Sequence, residues 1–323
     1  MSMVRLQTTD TVLMVRPARF SYNEETALNN HFQTRSTGEE DEVARKALQE
    51  FDDYVRLLRS NGVEVLVIQD TPEPATPDSI FPNNWFSTHC TGELVFYPMY
   101  AENRQLERKH SAVNMLSLMP GVTKTIDLTK WESSKKALEG TGSMILDRVN
   151  RVLFACRSPR TDEEILAEFC NELDYEYILF DSVDDEGRPI YHTNVMMCVA
   201  PKQVIICMDS IPNESDRKAL RACFRSAGRE IVPITQEQVK HFAGNMLALH
   251  SNSGKPLLVM SKAAYDSLTQ EQIETLSEKN KILAPDLHTI ETNGGGSARC
   301  MIAEIFLPYD EKAAEEELSF IFE

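Results

Sequence analysis

The sequence predicts an α/β protein made of five strand–strand–helix–strand units arranged around a common centre. Three observations carry this expectation. Small polar residues recur at the head of apolar runs about every fifty residues. A second apolar run and a polar segment with helical spacing follow most of these heads. A short third apolar run then closes most of the units. A repeat of that period implies units stacked into a ring or array. The 323 residues are therefore read as one domain, 1–323, although the length alone would allow two.

The heads are Asn84, Ser143, Asn194, Asn245 and Ser297, separated by 59, 51, 51 and 52 residues. Behind the first four come the apolar runs Leu94–Tyr97, Val152–Ala155, Val204–Cys207 and Leu257–Met260. Apolar residues at three- and four-residue spacing then predict helices over Asn103–Leu118, Asp162–Leu173, Ser215–Ala227 and Gln270–Lys279. Third strands are expected at Tyr177–Phe180 and Glu230–Pro233. The fifth unit combines the run Val12–Val15 and a helix over Glu40–Arg59 with a C-terminal strand in Met301–Leu307. Coincidence among strand starts is the competing reading, and four intervals within eight residues of each other outweigh it.

Gly294-Gly295-Gly296 lets the backbone take positive φ and approach a ligand closely, and Cys300 follows four residues later. The expectation is a bare loop opening into a strand, with a thiol at its mouth where a nucleophile has room for substrate. Taken alone, the loop reads more simply as a turn ahead of a buried cysteine. The other six cysteines mostly lie in apolar stretches and behave as small hydrophobes. The repeat changes the balance. If the heads face one axis, Glu139, His192 and Cys300 converge there from three units. They bring a nucleophile, an acid/base partner and an orienting or water-activating group. Singly, His192 reads as a satisfied histidine and Glu139-Gly140 as a turn.

Five segments together carry a family resemblance: Phe81-Pro82-Asn83-Asn84, Leu138-Glu139-Gly140, Ser158-Pro159-Arg160-Thr161-Asp162, His192-Thr193-Asn194, and the run from Gly294 to Cys300. The chain resembles the guanidine-modifying superfamily of the pentein fold. That superfamily includes arginine deiminases, dimethylarginine hydrolases and amidinotransferases. Within it the chain looks closest to the amidinotransferase-like citrulline-utilisation hydrolases of bacteria. The resemblance implies an α/β-propeller of five pseudo-symmetric ββαβ units with a central active site. It also implies Cys300 as nucleophile, His192 as acid/base and Glu139 as ligand of substrate and water. Asn84, Asn194, Phe81 and Gly296 would line the substrate site, and Arg160 would grip a substrate carboxylate. From the residues alone, Arg160 reads nearly as well as a residue at a helix start, beside the capping candidates Thr161 and Asp162.

Two departures bear on the substrate. Arginine deiminases of this fold usually carry aspartates where this chain has Asn84 and Asn194, and those carboxylates hold a guanidinium through charge-assisted hydrogen bonds. An amide offers both donor and acceptor, which suits a neutral ureido group. The expected activity is hydrolysis of citrulline to ornithine, ammonia and CO2 through a covalent intermediate on Cys300. Arginine dihydrolase, arginine deiminase, dimethylarginine hydrolase and amidinotransferase activities stand as alternatives. A ligand-binding protein of the same fold is the non-enzyme alternative, and the intact cysteine, histidine and glutamate argue against it.

Composition bounds the partners. A net charge of −17 is unfavourable for nucleic acid, which needs a basic surface. The hydrophobic share of 42% fits a globular chain, and no run approaches the roughly 20 apolar residues of a membrane span. The stretch Met1–Asp10 lacks the apolar core of a signal peptide. Together with seven scattered cysteines, this sets a cytoplasmic expectation. There is no Cys-x-x-Cys or His-x-x-x-His pair, so no metal is expected, and the chemistry calls for no cofactor. The expected partner is a small amino-acid substrate, and a homo-oligomer is compatible with the sequence.

Overall fold

All five expected units are present, each as a three-stranded sheet with one antiparallel and one parallel pair. The computed structural model describes residues 5–27, 29–36 and 40–308. Met1–Val4 of the N-terminal stretch lies outside the described residues, as does the chain from 309 onward. The chain begins with β1 (Thr11–Arg16), a helix at Glu40–Ser60 and β2 (Glu64–Gln69). The next units are β3 (Phe86–Thr88), β4 (Glu93–Phe96) and β5 (Lys124–Asp127), then β6 (Met144–Asp147), β7 (Val152–Cys156) and β8 (Glu176–Phe180). They are followed by β9 (Met197–Val199), β10 (Gln203–Ile206) and β11 (Glu230–Pro233), then β12 (Leu247–His250), β13 (Pro256–Val259) and β14 (Lys281–Leu283). Finally β15 (Ala303–Glu304) pairs antiparallel with β1, so the first and last strands share a sheet. A parallel return needs a crossover, and helices supply it in every unit.

Local chemistry fixes the helices. Asp162 caps Glu163–Leu173 by accepting from the N–H groups of Glu164 and Ile165. Thr269 and Gln272 form a capping box at the start of Gln270–Ser277. The helix Glu40–Ser60 buries Val43, Ala47, Phe51, Tyr54, Val55 and Leu58, one stripe facing the core. The helix expected over Asn103–Leu118 is instead two pieces, Glu102–Gln105 and His110–Ser117. Arg104 of the first piece and Glu107, just after it, turn inward as a buried pair, with Nε–Oε1 2.8 Å and Nη2–Oε2 3.0 Å. The run Met301–Leu307 pairs only at Ala303–Glu304. The Ile302 carbonyl is taken by Arg299 (2.9 Å) and the Phe306 N–H by the Thr88 hydroxyl (2.9 Å), which ends the ladder on both sides.

The recurring heads tie neighbouring units together. The Asn84 amide reaches the Glu139 carbonyl (3.5 Å), and the Thr193 hydroxyl donates to the Ser143 carbonyl (2.6 Å). The Asn245 amide donates to the Asn194 carbonyl (3.1 Å), and its oxygen accepts the Arg299 N–H (3.0 Å). The Thr88 hydroxyl closes the circuit on the Glu304 carbonyl (3.1 Å). Buried backbone polar groups need partners, and at the heads Asn84 and Asn245 side-chain amides supply them across the junctions.

Candidate active site

Glu139 stands just before β6 in a tight turn, Gly140–Ser143, and is fully buried. Its turn tolerates only glycine at 142, where a Cβ would sit 2.3 Å from the Asn84 amide nitrogen and 2.9 Å from His192 Nδ1. One carboxylate oxygen accepts the Tyr100 N–H (3.0 Å). The other meets His192 Nε2 at 2.7 Å and Arg160 Nη1 at 3.3 Å. Burial pushes the Glu139 carboxyl up, but Arg160, His192 and Arg104 outweigh it and hold the group well below the usual carboxylate range. Burial also pushes His192 down to about 4, against the pull of Glu139, so the resting pair is a carboxylate and a neutral imidazole.

Cys300 lies in the turn after the glycines, its N–H bonded to the Ser297 carbonyl (3.0 Å). Where a bare loop was expected, a helix His288–Gly294 leads up to it and ends in Gly295, a left-handed C-cap at φ 62°. Gly296 packs against the Phe81 ring, which a Cβ would approach to 2.8 Å. Cys300, His192, Arg160, Asn84, Phe81 and Gly296 line one pocket, and Glu139 lies directly behind His192 and Arg160. Asn194 touches the same sulfur, with Nδ2 3.5 Å from Cys300 Sγ. The structure thus brings every sequence-predicted residue to one place. A roomier cleft, lined in part by Phe32, Ile190, Lys240 and Phe242, holds none of them.

Several site residues escaped the sequence reading. Arg104, expected on a polar helix, is buried and donates to the Asn84 side-chain oxygen (2.9 Å) and the Phe81 carbonyl (3.2 Å). Asp78 lines the pocket. One of its oxygens accepts from Asn23 (2.8 Å) and Thr26 (3.1 Å), while buried Oδ1 has no partner. Burial raises its carboxyl against the pull of Arg104. Arg160 is committed to more than a ligand. It bonds the Asn29 side chain and the Thr26 carbonyl, and its guanidinium lies 4.7 Å over the Tyr191 ring. No sequence signal separates Arg104 or Asp78 from solvated neighbours. The only hint is the i, i+3 spacing of Arg104 and Glu107.

Five ββαβ units bring a cysteine and a histidine to one pocket with a glutamate behind them, and together with a family match they define the class: a pentein of the guanidine-modifying superfamily. More narrowly, the family model for eukaryotic N,N-dimethylarginine dimethylhydrolase matches residues 16–307, and the chain belongs to that family. No curated protein matches it in sequence. Among solved structures it is similar to the N-terminal domain of ArgZ, an arginine dihydrolase from the ornithine-ammonia cycle in cyanobacteria. That match has 17% identity and a TM-score of 0.69, over 92% of this chain and 98% of that one. A complex of AgrE with ornithine and NAD+ matches at 17% identity and TM-score 0.72, over 95% of this chain but only 41% of AgrE. A dimethylarginine dimethylaminohydrolase adduct with S-methyl-L-thiocitrulline matches at 14% identity and TM-score 0.63, over 91% and 99% of the two chains. At these identities the structural likeness shows the fold alone.

Proposed function

We propose that this protein is a cysteine-dependent hydrolase of the ureido or guanidino carbon of an arginine-related amino acid, with citrulline the favoured substrate. The observation that supports citrulline is the orientation of Asn84. A guanidinium only donates, so Arg104 obliges Asn84 to turn its oxygen toward it. One Asn84 N–H reaches the Glu139 carbonyl (3.5 Å), and the other is left for the pocket, where it suits a ureido C=O and repels the N–H edge of a guanidinium. In the reaction, the proton lost from the Cys300 S–H is taken up by His192, Sγ bonds to the ureido carbon and the C–NH2 bond breaks. Ammonia leaves with a proton from His192, because an amide anion is too basic to depart. Water then attacks the thiocarbamate and gives its proton back to His192. The C–S bond breaks, and the carbamate loses CO2 to leave ornithine. Asp78 Oδ1, buried and unpartnered, suits the α-ammonium. Arg160 suits the α-carboxylate once its bonds to Asn29 yield.

A methylated arginine is the second reading, favoured by the family match and by the carboxylates Asp78 and Glu139 beside the pocket. Incubation of the purified protein with citrulline, arginine, dimethylarginine and agmatine, with amino-acid and ammonia analysis, separates the two. Ornithine from citrulline is expected, and agmatine, lacking a carboxylate, should be poor. Turnover of dimethylarginine without citrulline would transfer the assignment to the second reading.

A further inference from the structure

Two amide nitrogens face the Cys300 sulfur: Nδ2 of Asn245 at 3.2 Å and Nδ2 of Asn194 at 3.5 Å. Among the described residues these are the groups that hydrogen-bond it. The orientation of Asn245 is dictated by its neighbours. Its Oδ1 receives the Arg299 backbone N–H at 3.0 Å, which can only donate. Its Nδ2 lies 3.1 Å from the Asn194 carbonyl, which can only accept. Flipping the amide would lose both bonds, so the second N–H is directed at the sulfur. Asn245 is itself buried and anchored through its own N–H to the Phe242 carbonyl (2.8 Å).

We propose that Asn245, seconded by Asn194, stabilises the Cys300 thiolate before substrate arrives. The inference rests on Cys300 being the nucleophile of the reaction above. A hydrogen bond to an anion is stronger than one to a neutral group, so the two amides favour S⁻ over S–H. The proton balance is simple: the S–H bond breaks and the proton passes to solvent, because His192 rests neutral and takes up a proton only in the reaction. A cationic guanidinium would itself help to ionise the thiol, whereas a neutral ureido group brings no charge. An enzyme for the latter must supply the stabilisation from its own side chains. The other charged or titratable groups around the sulfur are His192 with Glu139, Arg160 and Tyr191 on the pocket wall, and Arg104 with Asp78. Tyr54 packs from the helix Glu40–Ser60, and Glu291 holds Ser297 in the same turn. Arg299 is engaged by the Ile302 carbonyl and Glu304, and Arg104 by Glu107.

The test is the pH dependence of Cys300 alkylation by iodoacetamide, followed on its peptide by mass spectrometry in the intact protein without substrate. The parent midpoint should lie below the ordinary thiol value of about 8.5. Asn245→Ala and Asn245→Asp should each raise it by about half to one pH unit, slowing alkylation at neutral pH about three- to tenfold. Asn245→Asp keeps the side chain's shape, so it serves if Asn245→Ala folds poorly. A parent midpoint at the ordinary value overturns the proposal. So do variants that melt earlier with an unmoved midpoint, since a purely structural Asn245 would behave that way. The readout needs no turnover. A low midpoint in a protein that hydrolyses nothing counts against the substrate reading alone. An unmoved midpoint in an active hydrolase counts against Asn245 alone.

Discussion

In the proposed reaction Asn84 would discriminate substrate charge, its side-chain oxygen held by Arg104 at 2.9 Å. Replacing it by aspartate keeps that bond and strengthens it, but removes both N–H groups, the one on the Glu139 carbonyl and the one left for the pocket. Hydrogen bonds to charged groups are worth about 1.5–3 kcal/mol against roughly 1 for neutral ones. Asn84→Asp should therefore lower kcat/KM for citrulline at least about tenfold and raise arginine binding, both read by steady-state kinetics. A parent enzyme that already prefers arginine would show that the asparagines do not discriminate charge. Cys300, His192 and Glu139 were legible because they fall at equivalent points of the repeat and within the segments that carry the family resemblance. Asn245 was visible as a head, but its contact with the sulfur depends on a junction between two units that no local pattern encodes. Arg104 and Asp78 lie in polar stretches that look the same whether solvated or folded inward.

At the scale of elements, the helix His288–Gly294 and the turn carrying Cys300 are joined by Glu291, whose side chain accepts from the Ser297 hydroxyl at 2.6 Å. Burial pushes the Glu291 carboxyl up to about 7, partly offset by its hydroxyl partners. In the unfolded chain it returns to the usual carboxylate value of about 4.3. Between these values the folded protein holds a proton that the unfolded chain releases, so this group's stabilisation is complete below about pH 4.3 and is lost as pH rises toward 7. Glu291→Gln should flatten that part of the stability profile and raise stability above pH 7 by about 1–3 kcal/mol. Melting curves of both proteins from pH 5 to 8 decide this, and parallel profiles would contradict it. This helix went unread because three glycines punctuate its end, and their local signal is a loop. The strands and the longer helices were readable because apolar spacing and caps such as Asp162 act within a few residues.

Across the whole molecule, hydrogen bonds at or near the recurring heads join neighbouring units, and further ties cross the unit boundaries. Asp147 at the end of β6 pairs with buried Arg229 ahead of β11, with Nη2–Oδ1 2.9 Å. Removing one partner of such a pair leaves a buried charge and costs about 3–5 kcal/mol. Asp147→Ala should lower stability by that amount. If 1–323 is one cooperative domain, fluorescence of Trp85 and Trp131, both outside these two units, should still report the same urea transition as circular dichroism. Separate transitions would divide the ring. The central claim is that residues from the five units meet to perform covalent chemistry on Cys300. Rapid acid quenching during citrulline turnover, followed by peptide mass spectrometry, tests it most directly. The account predicts an adduct of citrulline less ammonia, confined to the Cys300 peptide and missing from Cys300→Ser, which should fold normally and lose turnover by at least about a thousandfold. Turnover with no adduct on Cys300, or a Cys300→Ser protein that keeps most of its activity, would contradict it.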